Sequence, residues 1–330
     1  MRSVKGVLDD SIDMRNTATL FILIMASAMF SGCKTNRLTD REAEGYIEVQ
    51  GHQIWYRIVG ADKPGIPLLT LHGGPGGTHF YLEPMEALAE ERPVIFYDQL
   101  GCGHSDRPGD TTFWTVDYYV EELAAIREAL NIRKVHLLGQ SWGTMLAIKY
   151  LINKKPSGIQ SLILAGPCLS ARRWVNDQLE WVARLPDSVQ QVIRDCEAME
   201  DFANPAYLQA MSTFYNLHVC RTDPWPDCVN RAFAAMGTET YLYMWGPSEF
   251  TCNGILKEED LTDVLPDIRI PVLLTCGEFD EATPETTEYY RSLIPGAKIR
   301  VFKDASHMHH VEKSDEFNQV VSSFLIEVDH

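Results

Sequence analysis

Positive charge is scarce in this chain. Its 330 residues carry 29 Lys and Arg against 46 Asp and Glu, a formal net charge of −17. A surface of that sign excludes nucleic acid as a partner and repels the folded body from an anionic membrane. Long apolar runs are also missing. The N-terminal stretch Leu20 to Phe30 is apolar for only eleven residues, too short to span a bilayer comfortably. No internal repeat or low-complexity tract is present, so a solenoid is excluded. The glycines of His72-Gly73-Gly74-Pro75-Gly76-Gly77 are not followed by Lys-Ser/Thr, which rules against a phosphate-cradling loop. The composition, 45% apolar, supplies a full core for one catalytic domain with an insertion.

The most informative residues present are Gly139-Gln140-Ser141-Trp142-Gly143. They separate a short apolar run, Lys134 to Leu138, from a segment of helical character, Thr144 to Leu151. Gly-x-Ser-x-Gly between strand and helix is the pattern of a nucleophile elbow, whose glycines permit a turn that leaves the serine hydroxyl exposed above a sheet. A serine needs a base and an orienting acid, in the chain order Ser, Asp, His. The apolar run Pro271 to Gly277 ends in Glu278-Phe279-Asp280-Glu281, and Ile299 to Phe302 is followed by Asp304-Ala305-Ser306-His307. This predicts Ser141 as nucleophile, His307 as general base and acid, and Asp280 as the residue that fixes the imidazole tautomer. Glu278 and Glu281 are alternative acids. His309 and His310 make a metal site an alternative for the histidine cluster, but no second ligand group with metal spacing stands nearby and the triad requires no metal or other cofactor. Epoxide hydrolase or dehalogenase chemistry would need Asp where Ser141 stands. For the oxyanion, one backbone N–H is expected from Trp142 and one from Gly73 or Gly74, with the choice between the glycines open.

Alternation of apolar runs outlines the architecture. Tyr46 to Val49 and Ile54 to Val59 flank Gln50-Gly51-His52 as a hairpin. Strands are predicted near 68–71, 94–97, 135–138, 162–165, 272–275 and 299–302, with helices near 81–90, 116–130, 142–153, 285–293 and 315–327. That alternation means a mainly parallel sheet with helices on both faces. Between Pro167 and about Ile255 the strand signal vanishes, and helical stretches such as 188–202 and 206–219 predict an all-helical cap inserted after the sixth strand. Its aromatic residues, Trp174, Trp181, Trp225, Trp245, Tyr215 and Tyr243, are expected mainly to form the cap's own core, with a pocket wall for the substrate's N-terminal side chain as the alternative.

His72-Gly73-Gly74-Pro75-Gly76, Asp98-Gln99-Leu100-Gly101-Cys102-Gly103-His104-Ser105 and Gly139-Gln140-Ser141-Trp142-Gly143 together resemble the proline iminopeptidases. These are the prolyl aminopeptidase branch of the α/β-hydrolases, which includes the tricorn-interacting aminopeptidase. Gly246-Pro247-Ser248-Glu249-Phe250 and Gly277-Glu278-Phe279-Asp280-Glu281-Ala282-Thr283-Pro284 narrow the resemblance, which runs from about Tyr46 to the C-terminus. It implies an α/β-hydrolase fold with an eight-stranded, mainly parallel sheet and a helical cap. It also implies a serine aminopeptidase that acts through an acyl-enzyme on short peptides with a free N-terminus, preferably at proline. Two glutamates grip the substrate amine in that family, and the matching positions are Glu249 and Glu281, with Tyr241 as the counterpart of a pocket tyrosine. Thr144 departs from the glycine common after the elbow. An esterase or amidase using the same triad is the nearest alternative activity, and a non-catalytic binding protein on the same scaffold is an alternative of another class.

The N-terminus reads as a targeting signal. Ser31-Gly32-Cys33 after the apolar run resembles a bacterial lipoprotein processing site, with Phe30 departing from the usual Leu-like residue. The expected organisation is a signal at 1–33, a tether at 34–44, core at 45–166, cap at 167–255 and core again at 256–330. Cys33 would carry the lipid, anchoring an exported protein to a bacterial membrane, with a secretory signal cleaved nearby without lipid, or an uncleaved anchor, as the alternative. Asp9, Asp10 and Asp13 precede the run, and a start at Met14 gives a signal of normal shape. An oxidising compartment would permit disulfides among Cys196, Cys220, Cys228 and Cys252, with three pairings open, while Cys102, Cys168 and Cys276 are expected as small buried residues.

Overall fold

The computed structural model describes Leu38 and residues 43–330. The proposed start at Met14, the lipidation site Cys33 and nearly all of the tether lie outside these residues. Eight strands form one sheet in the order β1-β2-β4-β3-β5-β6-β7-β8. They are β1 (Glu44–Val49), β2 (His52–Val59), β3 (Leu68–Leu71), β4 (Val94–Tyr97), β5 (Val135–Gln140), β6 (Ile159–Ala165), β7 (Val272–Gly277) and β8 (Lys298–Phe302). β1 and β2 are an antiparallel hairpin in which Val49 faces His52. Gln50 and Gly51 both adopt positive φ, 51° and 88°, as a two-residue turn compatible with the strand twist demands. β2 also pairs antiparallel with β4, and the remaining pairs are parallel.

β3, β4, β5 and β7 are buried along their whole length, as expected of parallel strands covered on both faces. Period-two alternation sorts their side chains into two apolar clusters. Leu69, Leu71, Ile95 and Leu137 pack with α1 (Val116–Ala129), α2 (Trp142–Lys154) and α8 (Pro284–Leu293). Leu68, Val94, Phe96 and Leu138 pack with the 79–90 segment and with α10 (Ser314–Asp329), which follows the short α9 (His309–Glu312). The helix predicted near 81–90 is present as His79–Glu90, with 3₁₀ winding. Pro84 lies inside it, and a residue without an N–H cannot continue an α-helical ladder.

Between β6 and β7 the chain builds a cap from α3 (Ala171–Val182), α4 (Asp187–Met199), α5 (Pro205–His218), α6 (Asp227–Ala234) and α7 (Thr238–Met244). A bridge between Ser170 and Asp260 ties the two ends of this insertion together. Trp181, Ile193, Phe214 and Phe250 form its own apolar cluster. The cap also reaches the core at a glycine contact. The Gly237 N–H donates to the Gly76 carbonyl at 2.7 Å, and a Cβ on Gly76 would sit 2.6 Å from the Gly237 oxygen. No disulfide forms among the described cysteines: Cys196, Cys220, Cys228 and Cys252 are all free thiols, as are Cys102, Cys168 and Cys276. No described helix is long and apolar enough to cross a membrane.

Candidate active site

The strand order reverses between β3 and β5, so the loops leaving their carboxyl ends splay apart and open a crevice. The 72–77 loop follows β3, and the elbow follows β5. Ser141 occupies φ 55°, ψ −124°, a region that L residues rarely adopt. Its strain is held by packing, because a Cβ on Gly143 would lie 2.1 Å from the Leu71 carbonyl oxygen. Thr144 fits at the first turn of the helix that follows. Its hydroxyl donates to the Ser141 carbonyl at 2.6 Å and accepts the Cys168 N–H at 3.0 Å, joining the elbow to the root of the cap.

His307 and Asp280 arrive from the ends of β8 and β7. Nδ1 of His307 lies 2.7 Å from Oδ1 of Asp280, and both residues are buried. Two backbone N–H groups, from Gly277 and Ala282, also donate to the Asp280 carboxylate. Burial by itself pushes the Asp280 carboxyl up, but the imidazoles of His307 and His309 outweigh it and hold the group well below the usual carboxylate range. An ionised acceptor there keeps the proton on Nδ1 and leaves Nε2 with a lone pair, the tautomer a general base requires. Of the alternative acids, Glu278 is exposed and accepts the Asp304 N–H, and Glu281 points elsewhere. His309 and His310 are taken up by Thr275 Oγ1 at 2.9 Å and the Tyr81 carbonyl at 3.1 Å.

The Gly73 N–H is already engaged by the Tyr81 hydroxyl at 2.5 Å. Gly74 and Trp142 have backbone N–H groups without partners among the described residues. Of the two glycines left open by sequence, Gly74 is the one whose N–H remains free among the described residues.

Ser141, His307, Gly74, Glu249, Glu281 and Tyr241 line one cavity of about 320 Å³ beneath the cap. Glu249 accepts from Tyr241 Oη at 2.5 Å and from Trp174 Nε1 at 3.0 Å. Burial raises its pKa, and those two hydrogen bonds draw it part of the way back. Glu281 is pushed well above the carboxylate range, first by burial and then by the charges of Glu249 and Asp280, and its Oε1 has no partner among the described residues. One half-buried acid, Glu249, and one fully buried acid with an idle oxygen, Glu281, face the same cavity, a combination suited to a cation.

Four contributors escaped the sequence reading. Gln140 places its amide nitrogen 2.9 Å from Nε2 of His307 and accepts the Tyr81 hydroxyl through Oε1 at 2.7 Å. Trp174 is more than cap core: besides bonding Glu249, its ring meets that of His307 edge-on at 5.3 Å. Glu197 on α4 accepts from Tyr207, Ser248 and Thr251, and so fixes both sides of Glu249. Gln140 lay inside the elbow motif and was the most accessible of these to sequence. Tyr81, Trp174 and Glu197 carry no local pattern that separates them from packing residues.

This sheet, elbow and insertion define the class. The model of the α/β hydrolase fold family matches residues 66–314. The proline iminopeptidase of Heyndrickxia coagulans is 46% identical over 283 residues, covering 86% of this chain and 98% of the relative. The solved proline iminopeptidase of Mycobacterium smegmatis superposes with a TM-score of 0.80 at 37% identity, covering 87% of this chain and 98% of that one. The solved protein VinJ superposes with a TM-score of 0.83 at 35% identity, covering 87% and 99%. The chain belongs to the proline iminopeptidase family of α/β-hydrolases.

Proposed function

We propose that the protein is a serine aminopeptidase that releases an N-terminal residue, preferably proline, from short peptides. The observation that carries this reading is the Glu249–Glu281 pair in the same cavity as Ser141 and His307. The substrate ammonium displaces protons from the pair and is held there, which brings the first carbonyl to Ser141. Oγ attacks as His307 Nε2 takes its proton, and the developing oxyanion turns to the Gly74 and Trp142 N–H groups. His307 then protonates the departing amine, and water, deprotonated by the same imidazole, frees the first residue from the serine ester. A cavity of about 320 Å³ excludes folded proteins as substrates.

A panel of aminoacyl-naphthylamides, free and N-acetylated, tests this on the wild type and on Glu249→Ala. Free prolyl substrate should lead, acetylation should abolish turnover, and Glu249→Ala should weaken free-amine substrates by about 2–5 kcal/mol. Equal turnover of acetylated substrates would replace the reading with an esterase or amidase on small molecules.

We also propose that Cys33 carries a lipid that holds the exported enzyme at a bacterial membrane. The support is the apolar run before Ser31-Gly32-Cys33. Labelled palmitate should enter the wild type and not Cys33→Ala; absence of label from a membrane-associated wild type would remove the proposal.

A further inference from the structure

The first helix of the cap, α3, buries a stripe of four side chains that carry polar groups. Trp174, Asp177, Gln178 and Trp181 follow at intervals of three, one and three, the spacing of a single helix face. Each of them bonds to the site or to the chain just beyond it. Trp174 Nε1 donates to Oε2 of Glu249 at 3.0 Å. Gln178 Nε2 donates to the Glu281 carbonyl at 3.0 Å, and Trp181 Nε1 to the Asp280 carbonyl at 2.9 Å. Asp177 accepts from the hydroxyls of Thr283 at 3.2 Å and Thr286 at 3.0 Å, where α8 begins.

Gln178 closes this set of contacts. Its Nε2 also donates to the Trp174 carbonyl at 3.1 Å, one turn back along the helix. Two carbonyl oxygens meet that end of the carboxamide, and only its nitrogen can satisfy them, so the amide has one orientation. The residue that bonds Glu249 and the residue that bonds Glu281 are therefore bonded to each other, four positions apart. Glu249 follows α7 at the end of the cap, whereas Glu281 follows β7 in the core, and α3 bonds to both.

The Glu281 side chain depends on this support. Its Oε1 is buried without a partner among the described residues, so the carboxyl is aimed by the backbone that carries it. That backbone is held from the cap by Gln178 and from its own loop by the Ala282 N–H bond to Asp280. Gln178 does not line the cavity and acts only through the residues it holds.

We propose that α3 is the ruler of the amine site: Trp174 and Gln178, one helical turn apart, set the separation of Glu249 and Glu281, and Gln178 is the positioning residue for Glu281. The proposal rests on the aminopeptidase reading and deepens it, because it gives the cap the task of spacing the two acids. Trp181, the next position on the stripe, holds Asp280 and so serves the triad instead of the amine.

The experiment compares wild type with Gln178→Met, which keeps the length of the side chain and removes its donors. It measures kcat and KM for prolyl-naphthylamide, turnover of the N-acetylated form, and the rate at which a small fluorophosphonate labels Ser141. The label needs the nucleophile and its base but no ammonium, so it reports on the triad alone. Gln178→Met should raise KM by about ten-fold, the scale of one lost buried hydrogen bond, with kcat and labelling within about two-fold of wild type. Trp181→Phe, which removes the donor to Asp280, should leave KM near that of wild type and slow labelling instead.

An unchanged KM in Gln178→Met overturns the ruler. So does a rise in KM matched by an equal fall in labelling, because that pattern marks a loosened fold and not a displaced acid. An equal rise in KM in Trp181→Phe overturns it as well, since the two residues would then act as one packing surface. These results leave the aminopeptidase reading standing as long as wild type turns over the free prolyl substrate and not the acetylated one. Wild type that hydrolyses both equally removes that reading, and the ruler with it.

Discussion

The carboxamide of Gln140 caps Nε2 of His307 at 2.9 Å, on the atom to which the proposed mechanism delivers the Ser141 proton. Its other end accepts the Tyr81 hydroxyl, which in turn receives the Gly73 N–H. The base and the 72–77 loop are thus coupled through two side chains, Gln140 and Tyr81, and Nε2 must be released before the proton can move.

Replacing that amide with a carboxylate tests the contact. In Gln140→Glu a negative charge beside the ring favours the imidazolium, which cannot act as a base. The acidic limb of the kcat/KM profile should move to higher pH by about one unit or more. A profile that stays in place would show that Gln140 does not rest on His307 in solution.

The paired acids give KM its own pH dependence. Burial raises both carboxyls, and the charges of Glu249 and Asp280 raise Glu281 further, so the empty site favours a proton on the pair. Ammonium binding needs the ionised form. The sign follows: KM for free-amine substrates falls as pH rises through the ionisation of the pair, until the amine itself loses its proton. Steady-state kinetics on Glu281→Gln should show a weaker slope and a higher KM.

Glu197 is a positioning residue. It never touches the cavity but accepts from Ser248 at 2.7 Å and from Tyr207 and Thr251, bracketing Glu249. Glu197→Ala should raise KM by about 1–3 kcal/mol equivalent, the cost of leaving part-buried hydroxyls unpaired, with a smaller change in kcat. Glu197→Gln, which keeps an acceptor oxygen, should recover part of the loss. A fall in kcat at constant KM would contradict the assignment.

The Thr144 hydroxyl makes a stability prediction. Thr144→Val preserves shape but orphans the buried Cys168 N–H, and should destabilise by about 1–3 kcal/mol in denaturant unfolding, whereas Thr144→Ser should lie near wild type. Equal midpoints for Val and wild type would dismiss the bridge.

Sequence made the sheet legible because buried parallel strands are short apolar runs, and Leu68 to Leu71 or Val135 to Leu138 admit little else. Ser141, Asp280 and His307 were legible for a related reason: each follows such a run, so strand direction alone carries all three to one edge. The 79–90 segment was legible as helical from its apolar spacing, but spacing does not distinguish 3₁₀ from α winding. Gln140, Trp174 and Glu197 were hidden because their roles arise from contacts 75 to 167 positions away in the two pairs that touch the site directly, and 51 and 54 in the third. No local spacing encodes such meetings.

The Gly76–Gly237 contact decides how this chamber can operate. With two backbones in direct contact and no side chain between them, the inner end of the cap and the glycine-rich turn beside the nucleophile move together or not at all. The cap is therefore pinned at its inner end, and any widening of the chamber falls to its outer helices. Admitting a bulkier guest would require reshaping the outer helices, because any side chain larger than hydrogen at that joint would pry apart the surface that stabilises the reaction.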